Sequence, residues 1–307
     1  MSEPLEARTA TARARLPAVS PRAFAGLAWA ALAAMFVVTV TGATVRLTGS
    51  GLGCANWPRC GDTFLPPKSF HSLVEFSNRG VGVAVGVVSL LAALGAWRVQ
   101  GLPRWLFWGA VALPGTILLQ GVLGGITVLV DLHPLIVMGH FLVSLLAVAL
   151  SVAVVVGART FAVGAAAPAI PGHLALLGTA LVPVLLALVV TGAFVTAAGP
   201  HSGSVGVRRF GSFHDAVYVH VRASALFGVG FLLLLVWLYR LGEALRPELR
   251  LALVALGLLV AQAAVGEAQY RTHLPWWLVL VHVALATAVF AAMVALAWRL
   301  VERRART

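Results

Sequence analysis

The stretch HSLVEFSNRG, His71 to Gly80, sets a carboxylate, an amide and a guanidinium within five residues: Glu75, Asn78 and Arg79. It stands at the mouth of a long apolar run, where such groups are costly and mark function or a partner. Glu75 precedes Asn78 by three residues and Arg79 by four, so all three share one helix face. Glu75 and Arg79 can pair and make each other's burial tolerable. A carboxylate at that position can also move a proton or stabilise a cation. Three histidines stand singly in other apolar runs: His140, His220 and His282. An isolated intramembrane histidine can be a helix–helix hydrogen-bonding residue. Two on facing helices of a bundle can instead hold the iron of a haem from both sides. The elements that carry these residues decide between the two.

Of the 307 residues, 60% are hydrophobic and 10% charged, against about 25% charged in a soluble domain. This is the composition of an integral membrane protein. The formal charge of +12 comes from 21 arginines and one lysine, Lys68. They lie in short clusters between apolar runs, a topology signal rather than a nucleic-acid-binding stripe. Eight runs are long enough to span a bilayer, near 23–45, 72–97, 105–130, 134–157, 173–197, 213–239, 250–269 and 275–298. They are continuous rather than alternating, so an all-α membrane fold is expected rather than a barrel. With the N-terminus inside, 14 of the 22 basic residues fall on inside segments. That predicts a multi-pass protein of the cell membrane with both termini cytoplasmic. Residues 1–22 lack an apolar core of their own and are expected to be a cytoplasmic tail rather than a signal peptide.

The chain repeats itself. Gln120, Gly124 and His140 recur as Gln262, Gly266 and His282, and the same shift carries Asn78 onto His220. Upstream, TGATVRLTG (41–49) recurs as TGAFVTAAG (191–199). Two tandem four-helix bundles follow, at 23–157 and 173–299, joined by a linker at 158–172 and ending in a tail at 300–307. An even number of spans per half makes the repeat parallel. Asn78, His140, His220 and His282 all fall six or seven residues into their runs, roughly 10 Å below the same ends. Equal depth on paired helices is what two axial ligands of one flat cofactor require, so His220 and His282 are expected to hold a haem. Zinc fits less well, because no third and fourth ligands converge. The first half breaks the symmetry. Asparagine is a poor iron ligand beside imidazole, so His140 alone would bind iron there and leave its other side open or weakly filled. Glu75 has Val217 as its counterpart, and thus belongs only to the half with the incomplete ligand set.

These motifs resemble a known family. TGATVRLTGSGLGCANWPRCGD (41–62), the HSLVEFSNRG element and the His140, His220 and His282 pattern are similar to haem A synthase. That enzyme converts haem O to haem A for haem-copper oxidases. The resemblance implies a fold of two four-helix bundles. It implies haem b on His220 and His282, and haem O as substrate in the first half with His140 as one iron ligand. The family's second ligand there is a histidine in E-x-x-H-R, which in this chain reads E-x-x-N-R, with Asn78 and Arg79. The implied reaction oxidises the C8 methyl of haem O to formyl by successive hydroxylation, with Glu75 as the acid/base or cation-stabilising group. The resemblance further implies haem O synthase and an electron-transfer protein as partners. A homo-oligomer is possible, and the lipid bilayer surrounds the chain. Two other readings are a dihaem b-type cytochrome that only passes electrons, or carries haem, and a solute transporter built from parallel repeats.

Cys54 and Cys60 lie in the segment between the first two runs. The family pairs these positions, and a disulfide is plausible on an oxidising face. A two-cysteine metal site helped by His71, or free redox-active thiols, are the alternatives. Arg46, Arg208 and Arg209 are expected near the same surface, pairing haem propionates or sitting bare at the interface. Glu267 and Arg271 are expected to form a local ion pair. Trp57, Trp105, Trp276 and Trp277 are expected as interface anchors.

Overall fold

The computed structural model describes residues 18–164 and 169–304. Most of the predicted N-terminal tail and the last three residues thus lie outside the described residues. Eight long helices make up the fold: α1 Pro21–Leu47, α2 Phe70–Arg98, α3 Arg104–Leu129, α4 Pro134–Val163, α5 Gly172–Ala198, α6 Phe213–Arg240, α7 Arg246–Arg271 and α8 Trp276–Arg304. Each is long and apolar enough to cross a membrane, and the chain is a multi-pass membrane protein. Serine caps open α1, α2 and α6. Ser20, Ser69 and Ser212 accept from the amides of Ala23, Ser72 and Asp215, which satisfies donors the first helical turn leaves free. Pro114 and Pro183 lie inside α3 and α5 without ending either helix. The helices outrun the apolar segments most at α4 and α8, which continue to Val163 and Arg304. Hydropathy marks the hydrocarbon thickness, while backbone hydrogen bonding carries a helix on into the headgroup layer.

Helices α1 to α4 close a ring of neighbours, α1–α2–α3–α4–α1, and α5 to α8 close a second. The halves meet through α1 and α4 against α8, and α4 against α5. This is the tandem-bundle architecture expected from the repeat. The duplication reaches into the backbone of the loops. Asp131 and Leu132 have φ of 51° and 56°, and their counterparts His273 and Leu274 have 63° and 60°. Left-handed backbone is uncommon for leucine, so its recurrence at duplicate positions reflects one inherited turn.

Loops after α1, α3, α5 and α7 share one face, the loop face. Arg46, at the end of α1, donates from Nε to the carbonyl of His201 at 3.0 Å and from Nη2 to that of Thr196 at 3.1 Å. Gly51 donates to the carbonyl of Gly203, and a Cβ at Gly51 would lie 2.8 Å from a methyl of Leu132. His201 in turn donates from Nε2 to the carbonyl of Leu274. Arg46 therefore does not lie bare at the interface. Its guanidinium ties the first half to the second. Arg208 and Arg209 are exposed.

At the opposite face, Glu248 of α7 is 1% exposed and accepts from Arg299 at 2.9 Å and Arg303 at 2.7 Å, both on α8. Removing one partner of a buried ion pair strands the other charge. Glu248→Ala is therefore expected to destabilise the second bundle by about 3–5 kcal/mol, read as a lowered midpoint of thermal unfolding in detergent. Glu243→Ala, whose ion pair with Arg246 is exposed, is the matched control and leaves the midpoint within about 1 kcal/mol of wild type.

Candidate functional site

The packed core stops short of the loop face. The buried side chains of α6 begin at Phe227 and those of α8 at Thr287, beyond His220 and His282. In the first half, α2 buries nothing between Glu75 and Val85, and α4 nothing between Pro134 and Leu145. Asn78 and His140 fall in those intervals. All four positions lie six to eight residues past the start of their helices, as expected from the runs.

Each of the four faces a glycine on a neighbouring helix. A Cβ at Gly192 would lie 3.0 Å from Cε1 of His220, and one at Gly266 3.1 Å from Cε1 of His282. The counterparts are looser, at 3.7 Å from Gly124 to His140 and 3.9 Å from Gly42 to Nδ2 of Asn78. Threonines repeat as well. Thr191 Oγ1 lies 2.6 Å from the carbonyl of Leu188 and 2.9 Å from Nδ1 of His220. The hydroxyl donates to the carbonyl and accepts from Nδ1–H. That tautomer leaves the Nε2 lone pair of His220 free for a metal. Its counterpart Thr41 donates to Oδ1 of Asn78 at 2.7 Å. Neither the threonines nor the glycines were given a role on sequence. The signal that could have found them was the repeated TGA at 41–43 and 191–193.

The two imidazoles of the second half fit an iron between them. Their ring centres are 6.4 Å apart. A metal–imidazole bond of about 2.0–2.1 Å puts the ring centre roughly 3.2 Å from the metal, so a trans pair spans roughly 6.4 Å. Nδ1 of His140 and of His282, and Oε1 of Gln120 and of Gln262, are buried without a hydrogen-bond partner among the described residues. Buried polar atoms are nearly always bonded. These atoms recur at duplicate positions of the repeat. Among the described residues, no three His, Cys, Asp or Glu converge as a metal-ion site.

Above the first-half positions sits a tied loop. Cys54 and Cys60 form a disulfide. Glu75 is 6% exposed. Its Oε2 accepts from the amide of Cys54 at 2.8 Å, and its Oε1 accepts from Arg79 at 2.5 Å. Arg79 also donates to the carbonyls of Asn56, Pro58 and Arg59. The Glu75–Arg79 pair expected from the sequence is thus formed, and both members also clasp the disulfide loop. Trp57, expected as an interface anchor, lies against Gly125, where a Cβ would come within 2.6 Å of its ring. His71 shares a hydrogen bond with Ser50. Trp105 packs on Trp298 with ring centres 5.2 Å apart, and Glu267 and Arg271 form the expected local pair.

Residues 25–73 and 68–202 match the family model described as cytochrome oxidase assembly protein. The Heme A synthase of Bacillus licheniformis is 35% identical over 129 residues, 42% of this chain and 43% of that protein. The Heme A synthase of Symbiobacterium thermophilum is 33% identical over 126 residues, 41% of each chain. A Thermus thermophilus protein named Protoheme IX farnesyltransferase is 38% identical over 82 residues, 26% of this chain and 13% of that one. The matches thus span about two fifths of the length of the curated haem A synthases. The family match holds Asn78 and His140, while His220 and His282 lie beyond it and are tied to it through the internal repeat. With more than half of its residues matched and its two bundles in place, the chain belongs to the haem A synthase family of cytochrome oxidase assembly proteins.

Proposed function

We propose that this protein is a haem A synthase, oxidising the C8 methyl of haem O to a formyl group. The observation that carries the reading is the unequal pair of duplicate sites. One has two imidazoles at the spacing of a single bridging iron. The other has one imidazole, an amide and a buried carboxylate a helical turn away. His220 and His282 would hold haem b, whose saturated coordination suits electron transfer. His140 would hold the iron of haem O. Arg79 positions Glu75, and Glu75 would move a proton or stabilise developing positive charge. Both termini would face the cytoplasm, with the Cys54–Cys60 loop on the outer side. Haem O synthase is the partner that the chemistry asks for, since it makes the substrate. The relative named Protoheme IX farnesyltransferase, which matches part of this chain, supports a place beside that step.

Co-expression with a haem O synthase, followed by pigment extraction, tests the reading. Hydroxymethyl or formyl haem is expected in the extract. Unmodified haem b as the sole pigment would instead make the protein an electron carrier. The glycine contacts add a graded prediction. Gly266→Ala puts a methyl 3.1 Å from the His282 ring and is expected to lower haem b occupancy or shift its low-spin bands. Gly124→Ala meets His140 at an ordinary 3.7 Å and leaves haem content unchanged.

A further inference from the structure

Asn78 stands where the repeat has an iron-ligating candidate, and the structure determines which end of its amide is free. The only atom of an asparagine side chain with a lone pair to give a metal is Oδ1, because the amide nitrogen's pair is delocalised. Oδ1 is taken. Thr41 Oγ1 lies 2.7 Å from it but 3.3 Å from the carbonyl of Val38, so the hydroxyl proton goes to the amide. In the second half the distances reverse their meaning. Thr191 is 2.6 Å from the Leu188 carbonyl, gives its proton there, and turns its histidine's lone pair outward. One threonine position thus presents an acceptor at residue 220 and a donor at residue 78. Nδ2 of Asn78 meets no acceptor among the described residues, and beside it is Gly42, where a Cβ would lie 3.9 Å away.

Resting on the haem O reading above, we propose that Asn78 is a hydrogen-bond donor to a small oxygen-type ligand on the open side of the substrate iron, not a ligand to that iron. Thr41 is the positioning residue that fixes the amide's orientation. His140 holds the iron from the opposite side, and the N–H groups of Asn78 face the place that His220 fills with a lone pair in the second half. A donor there stabilises a diatomic guest carrying partial negative charge, as a neutral hydrogen bond does. It leaves the iron's coordination to that guest.

The test uses the full chain loaded with haem O, reduced and exposed to carbon monoxide. Wild type is expected to bind one carbon monoxide per chain at a haem that disappears in His140→Ala. Asn78→Leu keeps that haem but releases carbon monoxide about threefold to tenfold faster, the loss of one neutral hydrogen bond, with the C–O stretching band shifted upward. Thr41→Val moves the band the same way, and Thr41→Ser leaves it in place. Asn78→His gives a low-spin haem that binds no carbon monoxide. The proposal is overturned if Asn78→Leu leaves both the release rate and the band unchanged. It is equally overturned if wild-type haem O is low-spin and becomes reactive to carbon monoxide only when Asn78 is removed, which would make Asn78 a ligand. Absence of any haem dependent on His140 is a different result, and removes the haem O reading itself.

Discussion

His220→Ala and His282→Ala are each expected to abolish the low-spin haem b spectrum of the purified protein. The two ring centres are 6.4 Å apart, and on the proposed reading both imidazoles would hold the haem b iron, so losing either would remove half of its protein ligands. The loss is expected to be complete rather than graded. Thr191 orients His220 and glycines back both rings, so each imidazole is held in a place of its own. His214, exposed at the start of α6, provides the control, and His214→Ala keeps the spectrum. A low-spin haem that survives in both site variants would show that the pair does not ligate.

Glu75→Gln should cut formation of hydroxymethyl and formyl haem by at least about 100-fold, the scale of a lost general acid or base. Haem b should remain fully bound, since Glu75 and the His220–His282 pair belong to different bundles. Glutamine is the informative substitution. It keeps an oxygen for the Cys54 amide, so the loop stays clasped while the charge opposite Arg79 is lost. Glu75→Ala removes both and is expected to lose product as well. Normal product from Glu75→Gln would reduce the carboxylate to a loop tie. Unclasping the loop separately, with Cys54→Ser, shows how much of any Glu75→Ala defect comes from the loop alone.

Much of this was legible in the chain. The eight spans follow from apolar run length, because a bilayer sets a fixed thickness that each helix must match. The two bundles follow from the shift that carries Gln120, Gly124 and His140 onto Gln262, Gly266 and His282. Equal depth of the four candidate positions followed from counting residues at a constant rise. The Glu75–Arg79 and Glu267–Arg271 pairs were legible because they are neighbours on one helix turn. Glu248 with Arg299 and Arg303 was not, since its partners are some fifty residues away and on another helix. The contacts of Arg46 were hidden for the same reason, its acceptors being carbonyls of Thr196 and His201.

By itself the sequence determined the membrane class, the count of spans, the duplication and the asymmetry between Asn78 and His220. All of these are properties of composition and spacing along one dimension. Tertiary structure alone decided which groups those residues face. It turned Thr191 toward an imidazole nitrogen and Thr41 toward an amide oxygen, set the two rings 6.4 Å apart, and laid the disulfide loop on Glu75 and Arg79. The reason is range. Helical periodicity fixes the depth and face of a side chain, but hydrogen bonds act over about 3 Å, and only the packing of distant helices brings their partners that close.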